Sequence, residues 1–129
     1  MTKVIQFKDD TYLYGTIIEH GNNSRGYYIK YSDGTLIQYG FITKNLTITN
    51  YSNSSQWYYD DGYGIKLPIS FKDNNYFANV IPTRNASITL NVYTVRSEYN
   101  DEFFFDLSCK IEYNQTDYRF MWFAIGKWK

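Results

Sequence analysis

An aromatic and acidic stretch in the middle of the chain has the residue types that recognise sugars. Trp57, Tyr58 and Tyr59 are followed directly by Asp60 and Asp61. An aromatic ring offers a flat apolar surface to the C–H side of a sugar ring, while carboxylates accept hydrogen bonds from its hydroxyl groups. We therefore predict a ligand-binding loop here, with ordinary turn chemistry as the alternative.

Two further stretches combine polar groups in the same way. Arg84 and Asn85 follow the end of a predicted strand, and Tyr99, Asn100 and Asp101 form a second polar aromatic loop. Guanidinium, amide and carboxylate groups between them can donate to or accept from hydroxyl groups. Both stretches are also typical of ordinary turns, so the sequence leaves open which loop contacts a ligand.

Catalytic chemistry has weaker support than binding. Glycoside hydrolysis needs two carboxyl groups about 5 to 9.5 Å apart that face one sugar. The candidate pairs, Asp60 with Asp61 and Asp101 with Glu102, are sequence neighbours, and neighbours on a strand face opposite ways. His20 is the single histidine and lies beside a predicted joint, so a catalytic triad is not expected. We predict that the chain is not an enzyme.

The metal-ligating and redox residues are equally sparse. The chain has one histidine and one cysteine, Cys109, which is too few for a typical zinc site and excludes an intrachain disulfide. Cys109 lies on the apolar side of an alternating strand, where a small buried hydrophobe is expected. Glycine-rich phosphate loops are absent from the sequence. We expect no metal and no cofactor.

The charge balance excludes two classes of partner. The 13 basic and 13 acidic residues give a formal net charge of zero, whereas nucleic-acid binding depends on a basic surface. The same balance removes attraction to anionic membranes, and no apolar run approaches the ~20 residues of a membrane span. The opening residues do not read as a secretion signal. We expect no nucleic-acid partner, no membrane insertion, and synthesis in a cytoplasm.

Alternating apolar and polar residues dominate the chain and predict strands throughout. Ile88, Leu90 and Val92 alternate with polar residues, and Asp33-Gly34 is a favoured hairpin turn. We predict an all-β antiparallel sandwich or barrel with little or no helix. The predicted strands are residues 3–7, 12–18, 27–32, 35–43, 64–71, 76–82, 87–95, 103–112 and 117–128.

The segments between these strands suggest how the chain is organised. Residues 49–62 form the longest predicted irregular stretch, and residues 114–117 are expected to connect the last two strands. Residues 1–24 are predicted to form a short N-terminal β-hairpin or attachment segment, and residues 25–129 the sandwich domain. The polar run at residues 21–26 is expected to be a flexible joint between them.

The last ten residues, FMWFAIGKWK, and the residues just before them form a predicted strand that is apolar on both faces. Alternation places Tyr118, Phe120, Trp122, Ala124 and Trp128 on one face, which is expected to fill the core. Met121, Phe123 and Ile125 fall on the other face and need a second cover. Another copy of the chain is one candidate for that cover, and the chain's own loops are the alternative.

Three stretches of the chain resemble the C-terminal domains of phage tail-fibre proteins. They are GYYIKYSDGTLIQYG at residues 26–40, IKLPISFKDNNYFANV at residues 65–80 and WFAIGKWK at residues 122–129, and they occur in the family's order. Tyr39 stands where the family usually has Trp, and Lys127 stands where it usually has Arg. The second change retains the charge but not the bidentate geometry.

The resemblance implies an H-type-lectin-like antiparallel β-sandwich that assembles as a parallel homotrimer. It assigns structural positions to Trp122, Ile125, Gly126 and Trp128, with close backbone approach at Gly126. Together with Met121 and Phe123, these residues form the expected core and oligomer set.

The function that follows is a trimeric tail- or head-fibre module of a virion. Its expected partners are bacterial surface glycans and other fibre or baseplate proteins, and binding is multiplied across copies. The alternative is a structural trimerisation cap at a fibre tip that binds no ligand, and a glycan depolymerase ranks third.

Overall fold

The regular structure of the protein is entirely β-strand in the part that the computed structural model describes, residues 15–83 and 89–129. The all-β prediction is therefore confirmed. The strands are β1 (Ile17–Asn23), β2 (Gly26–Tyr31), β3 (Thr35–Ile48), β4 (Asn50–Ser52), β5 (Trp57–Lys66), β6 (Phe77–Pro82), β7 (Asn91–Arg96), β8 (Glu102–Cys109) and β9 (Tyr113–Lys127).

The strands form two antiparallel sheets that pack face to face. One has five strands in the order β1-β2-β3-β9-β6, and the other has four in the order β4-β5-β8-β7. Strands β3 and β9, with 14 and 15 residues, pair along most of their length. This arrangement confirms the predicted antiparallel β-sandwich.

The core lies between the sheets and is built from alternate residues of each strand. Phe105 of β8 meets Phe120 of β9 with ring centroids 5.0 Å apart, and Phe103 meets Trp122 at 5.9 Å. All four side chains are buried. The face of β9 that carries Tyr118, Phe120, Trp122 and Ala124 thus closes the core, as the alternation predicts.

One polar side chain in the core holds an irregular segment against the sheet. Gln38 is fully buried, and its amide donates to the Ile69 carbonyl and accepts from the Ile69 N–H, each at 3.0 Å. The strand predicted at residues 64–71 is therefore wrong at its end. β5 stops at Lys66, and Pro68, which has no N–H to give a ladder, lies in the segment that Gln38 binds.

The predicted irregular stretch at residues 49–62 is also corrected. It contains β4, a turn, and the first half of β5. The aromatic run hid this strand because both its faces are apolar. Tyr58 packs inward toward the core and Tyr51, while its two neighbours face outward.

Residues 114–117 belong to β9, and the connection between β8 and β9 is at residues 110–112. The pairing of β3 and β9 shifts register between Lys44 and Leu46, and Asp117 adopts a φ of 52°. This local irregularity gives the segment its turn-like composition, so the predicted connecting loop is wrong.

The expected flexible joint at residues 21–26 is instead the tip of the β1–β2 hairpin. Gly21, Asn22 and Asn23 pair with β2, and the Asn23 side chain donates to the Pro68 carbonyl at 2.9 Å. His20 lies exposed in β1. Most of the hairpin predicted within residues 1–24 lies outside the described residues, so the division at residue 24 stays a prediction.

Candidate functional site

A groove of about 640 Å³ lies on the outer face of the four-stranded sheet. Aromatic side chains of β5 and β7 form its two sides, and β8 runs between them with a small side chain facing outward. Hydroxyl groups from β4 and the following turn complete it. The lining residues are Ser52, Ser55, Trp57, Tyr59, Asn91, Tyr93 and Ser108.

The strand register explains why a groove forms here. Tyr59, Ser108 and Asn91 stand in one row across β5, β8 and β7. Because the middle member of this row is small, the sheet has a depression between its larger neighbours. Trp57 extends the same wall, since residues two apart on a strand share a face.

Irregularities in both flanking strands centre on one buried carboxylate. β5 shifts register between Asp60 and Tyr63, and β7 shifts between Val92 and Thr94. Asp106 of β8 lies between the two shifts and is 5% exposed. Each shift is typical of a β-bulge, which adds residues to one strand and redirects its side chains.

Asp106 binds both bulged strands. It accepts a hydrogen bond from the Gly62 N–H at 2.9 Å, another from the Thr94 hydroxyl, and two from Arg96 at 3.1 and 2.8 Å. Burial alone raises the pKa of the Asp106 carboxyl, but the hydrogen bonds from Arg96, Thr94 and Gly62 outweigh it and hold that pKa below its usual value. The charged Asp106 side chain therefore links β5 and β7 by hydrogen bonds to both strands.

The two bulges also bring Asp61 and Tyr93 together. The Tyr93 hydroxyl donates to Asp61 Oδ1, across the outer face of β8. Burial of the phenol, together with its hydrogen bond to the Asp61 carboxylate, raises the pKa of Tyr93. The phenol consequently keeps its proton near neutral pH and remains the donor.

A basic side chain lies beside the aromatic wall. Lys110 follows β8 and places its ammonium nitrogen 5.5 Å from the centroid of the Trp57 ring. This is a cation–π distance, which favours a fixed ring orientation. The groove therefore has apolar rings, neutral hydroxyl and amide groups, and the charged side chains of Lys110 and Asp61 beside it.

The predicted stretch at residues 57–61 divides between the two faces of β5. Trp57 and Tyr59 line the groove, and Asp61 lies beside it through Tyr93. Tyr58 instead packs toward the core, and Asp60 accepts from the Tyr63 hydroxyl at 2.6 Å. The stretch was predicted as a loop, but its position on a strand is what separates these side chains.

The second predicted loop is far from the groove. Asn100 exchanges hydrogen bonds with the backbone of Phe71, and the Asp101 carbonyl accepts from the Leu67 N–H at 2.9 Å. Tyr99 lies against Phe104 with ring centroids 6.1 Å apart. These residues precede β8, and six residues of strand, or about 20 Å, separate its first residue from the groove row. Arg84 and Asn85 lie outside the described residues.

Several groove residues were not predicted as functional. Asn91 and Tyr93 stand at positions that alternate with Leu90 and Val92, and Ser108 has no feature that distinguishes it. What joins them is the register of three strands that are distant in sequence. The alternation predicted their outward direction, whereas the pairing that makes them neighbours is not encoded in any local pattern.

A second surface stands out on the other side of the sandwich. The outer face of the five-stranded sheet carries a continuous set of exposed apolar side chains, with Phe77 80% exposed and Phe41 54% exposed. Successive rows cross β3, β9 and β6 in register. We call this set the outer apolar face; its exposed members are Tyr27, Tyr39, Phe41, Phe77, Ile81, Met121, Phe123 and Ile125.

Aromatic contacts order this face. Tyr27 stacks on Tyr39 with ring centroids 5.2 Å apart. The Arg119 guanidinium carbon lies 3.7 Å from the centroid of Phe41. Met121, Phe123 and Ile125 of β9 lie at its centre, between β3 and β6. Apolar patches of this extent are uncommon on monomeric proteins and mark interaction surfaces.

The other predicted residues near the C-terminus have internal positions. Trp122 is buried, and its indole N–H has no hydrogen-bond partner among the described residues. Trp128 is half-buried and donates to the Tyr31 carbonyl at 2.9 Å. At Gly126 a Cβ atom would lie 2.6 Å from the Cβ of Tyr76, so no side chain fits there.

Residues 30–127 match the family model described as putative tail fiber protein gp53-like, C-terminal. The match covers more than half of the chain, so the chain belongs to this family of tail-fibre C-terminal domains. The resemblance seen in the three sequence stretches is thereby confirmed. The protein is accordingly a fibre module of a virion.

The fold is shared with one solved fibre. The chain is similar to the structure of the P. aeruginosa R1 pyocin fiber comprising C-terminal residues 323-701, with a TM-score of 0.52 and 14% sequence identity. The similarity covers 84% of this chain and 28% of that chain. At this identity the similarity concerns the fold alone. Among curated proteins, no sequence matches the chain significantly.

The described residues contain neither a metal-binding cluster nor a membrane-spanning helix. No cluster of three or more His, Cys, Asp or Glu side chains is arranged to hold a metal ion in residues 15–83 and 89–129. In the same ranges, no helix has the length and apolarity needed to span a membrane.

Proposed function

We propose that this fibre module attaches the virion to its bacterial host by binding surface saccharide in the groove. The observation that carries the proposal is the pair Trp57 and Tyr59, two aromatic side chains on one strand face above a floor of small polar groups. They are about 7 Å apart along the strand. Each ring can support a sugar ring while neighbouring hydroxyl and amide groups bind its hydroxyls.

The chemistry of the lining favours a carbohydrate over other ligands. Ser52, Ser108 and Asn91 are neutral donors and acceptors, which suit hydroxyl groups. An open groove of this kind binds weakly, and several copies on one fibre would raise the overall strength of attachment. This role agrees with an H-type-lectin-like reading of the sandwich.

The proposal is tested by saccharide binding of matched variants. Purified protein is applied to an array of bacterial surface polysaccharides and to whole cells. We expect Trp57→Ala and Tyr59→Ala to lose binding, because each removes a stacking surface, while Tyr99→Ala keeps it. Tyr99 is a suitable control because it is also an exposed aromatic residue but lies at the other end of the sheet. Equal binding by all four proteins would contradict the proposal.

We also propose that the module assembles as a homotrimer through the outer apolar face. The face is central to the five-stranded sheet and includes the exposed side of β9. A second copy of the chain supplies an equally apolar surface, and with no net charge the copies do not repel each other as wholes. The number three is implied by the resemblance to fibre domains.

Solution mass tests the assembly. Light scattering should give about three times the 15.4 kDa of the chain, and a mass of 15.4 kDa would contradict the proposal. A trimer that binds no polysaccharide or cell would favour the alternative, a structural cap at a fibre tip. In either case, other fibre or baseplate proteins are the proposed neighbours in the virion.

We propose that the module binds saccharide without cleaving it. Asp60 and Asp61 belong to opposite faces of β5, and Asp101 lies at the far end of the sheet. These three carboxylates therefore do not face one sugar, as hydrolysis requires. Release of reducing ends from a bound polysaccharide, abolished by Asp61→Asn, would overturn this view.

A further inference from the structure

We infer that the groove receives the terminal unit of a saccharide chain and excludes internal segments. The inference rests on the proposed function and specifies its ligand. Its basis is the hydrogen bond between Tyr93 and Asp61, which we call the crossbar. The crossbar joins the two strands that flank β8, so it closes the groove at one end.

The position of the crossbar follows from the strand register. The groove row contains Ser108, and Asp106, which faces the same way, is two residues back along β8. Two residues of strand correspond to about 7 Å. Asp61 and Tyr93 belong to the bulges on either side of Asp106, so their side chains meet above β8 directly beside the groove floor.

The surface beyond the crossbar is already occupied. The Arg96 guanidinium binds Asp106 and forms an ion pair with Glu98, and its central carbon lies 5.8 Å from the centroid of the Phe104 ring. A saccharide that passed the crossbar would have to displace this arrangement. The sheet face therefore offers no continuous track along β8 from the groove past Asp106.

The crossbar is held from below. Asp106 accepts hydrogen bonds from Gly62, next to Asp61, and from Thr94, next to Tyr93. The same buried carboxylate thus binds the backbone beside Asp61 and the Thr94 side chain beside Tyr93. This makes Asp106 a positioning residue for the groove, and it keeps Asp61 and Tyr93 within reach of each other.

The chemistry of the closed end favours a chain terminus. A carboxylate accepts hydrogen bonds at both oxygens, and Tyr93 uses Oδ1 of Asp61. A terminal sugar carries a free hydroxyl where an internal sugar carries a glycosidic oxygen. The hydroxyl can donate to Asp61, whereas the glycosidic oxygen cannot donate and would face the carboxylate unpaired. Steric closure and hydrogen bonding therefore select the same end.

Competition by chain length tests the inference. A saccharide that binds on the polysaccharide array is prepared as soluble fragments of increasing length. Each fragment then competes with the array, and its inhibition is measured against the molar concentration of fragment chains. Terminal recognition predicts that the half-inhibitory concentration per chain is the same for short and long fragments. Internal recognition predicts that inhibition strengthens in proportion to length, which would overturn the inference and leave the proposed function standing.

Variants of the crossbar give an independent readout. Tyr93→Ala opens the closed end of the groove. We expect longer fragments to inhibit the binding of this variant to the array more strongly than short ones. Asp61→Ala should weaken binding of the short fragments about tenfold, through loss of the acceptor. Asp61→Asn keeps one oxygen to accept from Tyr93 and offers the sugar an amide N–H in place of the second carboxylate oxygen, so it should weaken binding less than Asp61→Ala. All four proteins should unfold at similar temperatures, since Asp61 is exposed and Tyr93 is 46% exposed.

The outcomes separate the two proposals. Absence of binding to every polysaccharide on the array refutes the proposed function, and the inference fails with it. Binding with unchanged length dependence in Tyr93→Ala refutes the inference alone, because the crossbar would then not be what limits the groove.

Discussion

Asp106 joins β5 and β7 on the outer side of the four-stranded sheet through its hydrogen bonds. It is buried and charged, and its hydrogen bonds from Gly62, Thr94 and Arg96 compensate for the loss of water. A neutral side chain at this position would leave Glu98, which is exposed, as the remaining carboxylate partner of the Arg96 guanidinium. The stability of the fold and the geometry of the groove should therefore respond together to changes at this one residue.

We predict that Asp106→Asn costs about 1.5–3 kcal/mol of unfolding free energy near neutral pH, the range for hydrogen bonds to charged groups. Because the folded state holds the pKa of Asp106 below its unfolded value, the charge stabilises the fold above about pH 4 and this contribution fades as the pH falls further. Denaturant unfolding between pH 7 and pH 3 should therefore bring the two proteins closer in stability.

Asp73→Asn is the matched control for that experiment. Asp73 is exposed in a turn, and its Oδ1 accepts a hydrogen bond from the Asn75 N–H, which an amide oxygen can also do. The Asp73→Asn variant should have the same unfolding free energy as the unmodified protein at each pH between 7 and 3. If Asp106→Asn behaved in the same way, the joint between the two bulges would carry no net stability.

Gly126 lies against Tyr76 and Phe71 with no room for a side chain. We predict that Gly126→Ala destabilises the protein by about 1–3 kcal/mol, the usual cost of overpacking, because its Cβ would lie 2.6 Å from the Cβ of Tyr76. Thermal unfolding measures the effect. Gly21→Ala should cost less, because the nearest atoms to its Cβ would be the hydroxyl end of the Tyr28 ring, at 2.8 to 3.0 Å, which can shift further than the Cβ of Tyr76.

At the scale of the strands, the sequence predicts which face a side chain lies on better than it predicts which strands pair. Alternation correctly placed Phe120 and Trp122 inward and Met121 and Phe123 outward, because each strand has one apolar core face. The first half of β5 was missed because Trp57 and its neighbours are large on both sides, so alternation was absent there. Register shifts opposite Asp106 bring Asp61 to Tyr93, and no local pattern reveals such long-range pairing.

The segment at residues 67–71 is an element without regular structure that is nevertheless fixed. Gln38 serves it as a strand partner would, with one donor and one acceptor directed at Ile69. Backbone bonds from Leu67 and Phe71 to the loop before β8 hold its two ends. The amide is fully buried although most other inward-facing side chains of β3 are apolar.

We predict that Gln38→Leu costs about 1–3 kcal/mol, because the Ile69 N–H and carbonyl lose their partners while the side-chain volume is nearly kept. The effect should be local first. Hydrogen exchange at Ile69 should accelerate more than exchange at Phe105 in the core. Gln115→Leu is the control, since its amide bonds only to the carbonyl of Thr116 beside it. Equal exchange at Ile69 in both variants would contradict the role of Gln38.

At the scale of the whole molecule, the two outer faces of the sandwich have different characters. The four-stranded sheet presents a groove with aromatic walls and polar groups, and the five-stranded sheet presents the outer apolar face. Two sheets packed face to face direct these surfaces in opposite directions. A copy that covered the apolar face would therefore leave the groove of each chain exposed, and assembly would present several grooves to a host surface at once.

The outer apolar face and the groove can be tested separately, by disrupting the first while leaving the second intact. Phe123→Asp places a charge at the centre of the outer apolar face, where an assembled interface would bury it unpaired. Light scattering should then show mostly 15.4 kDa monomer. Ile111→Asp, at an exposed position in the connection between β8 and β9, should stay assembled.

Because the groove is on the opposite sheet, the Phe123→Asp monomer should keep its affinity for a soluble saccharide but lose attachment to cells, where binding by several copies matters. Loss of both would mean that the groove itself needs the assembled form, and loss of neither would remove the outer apolar face from the mechanism of adhesion.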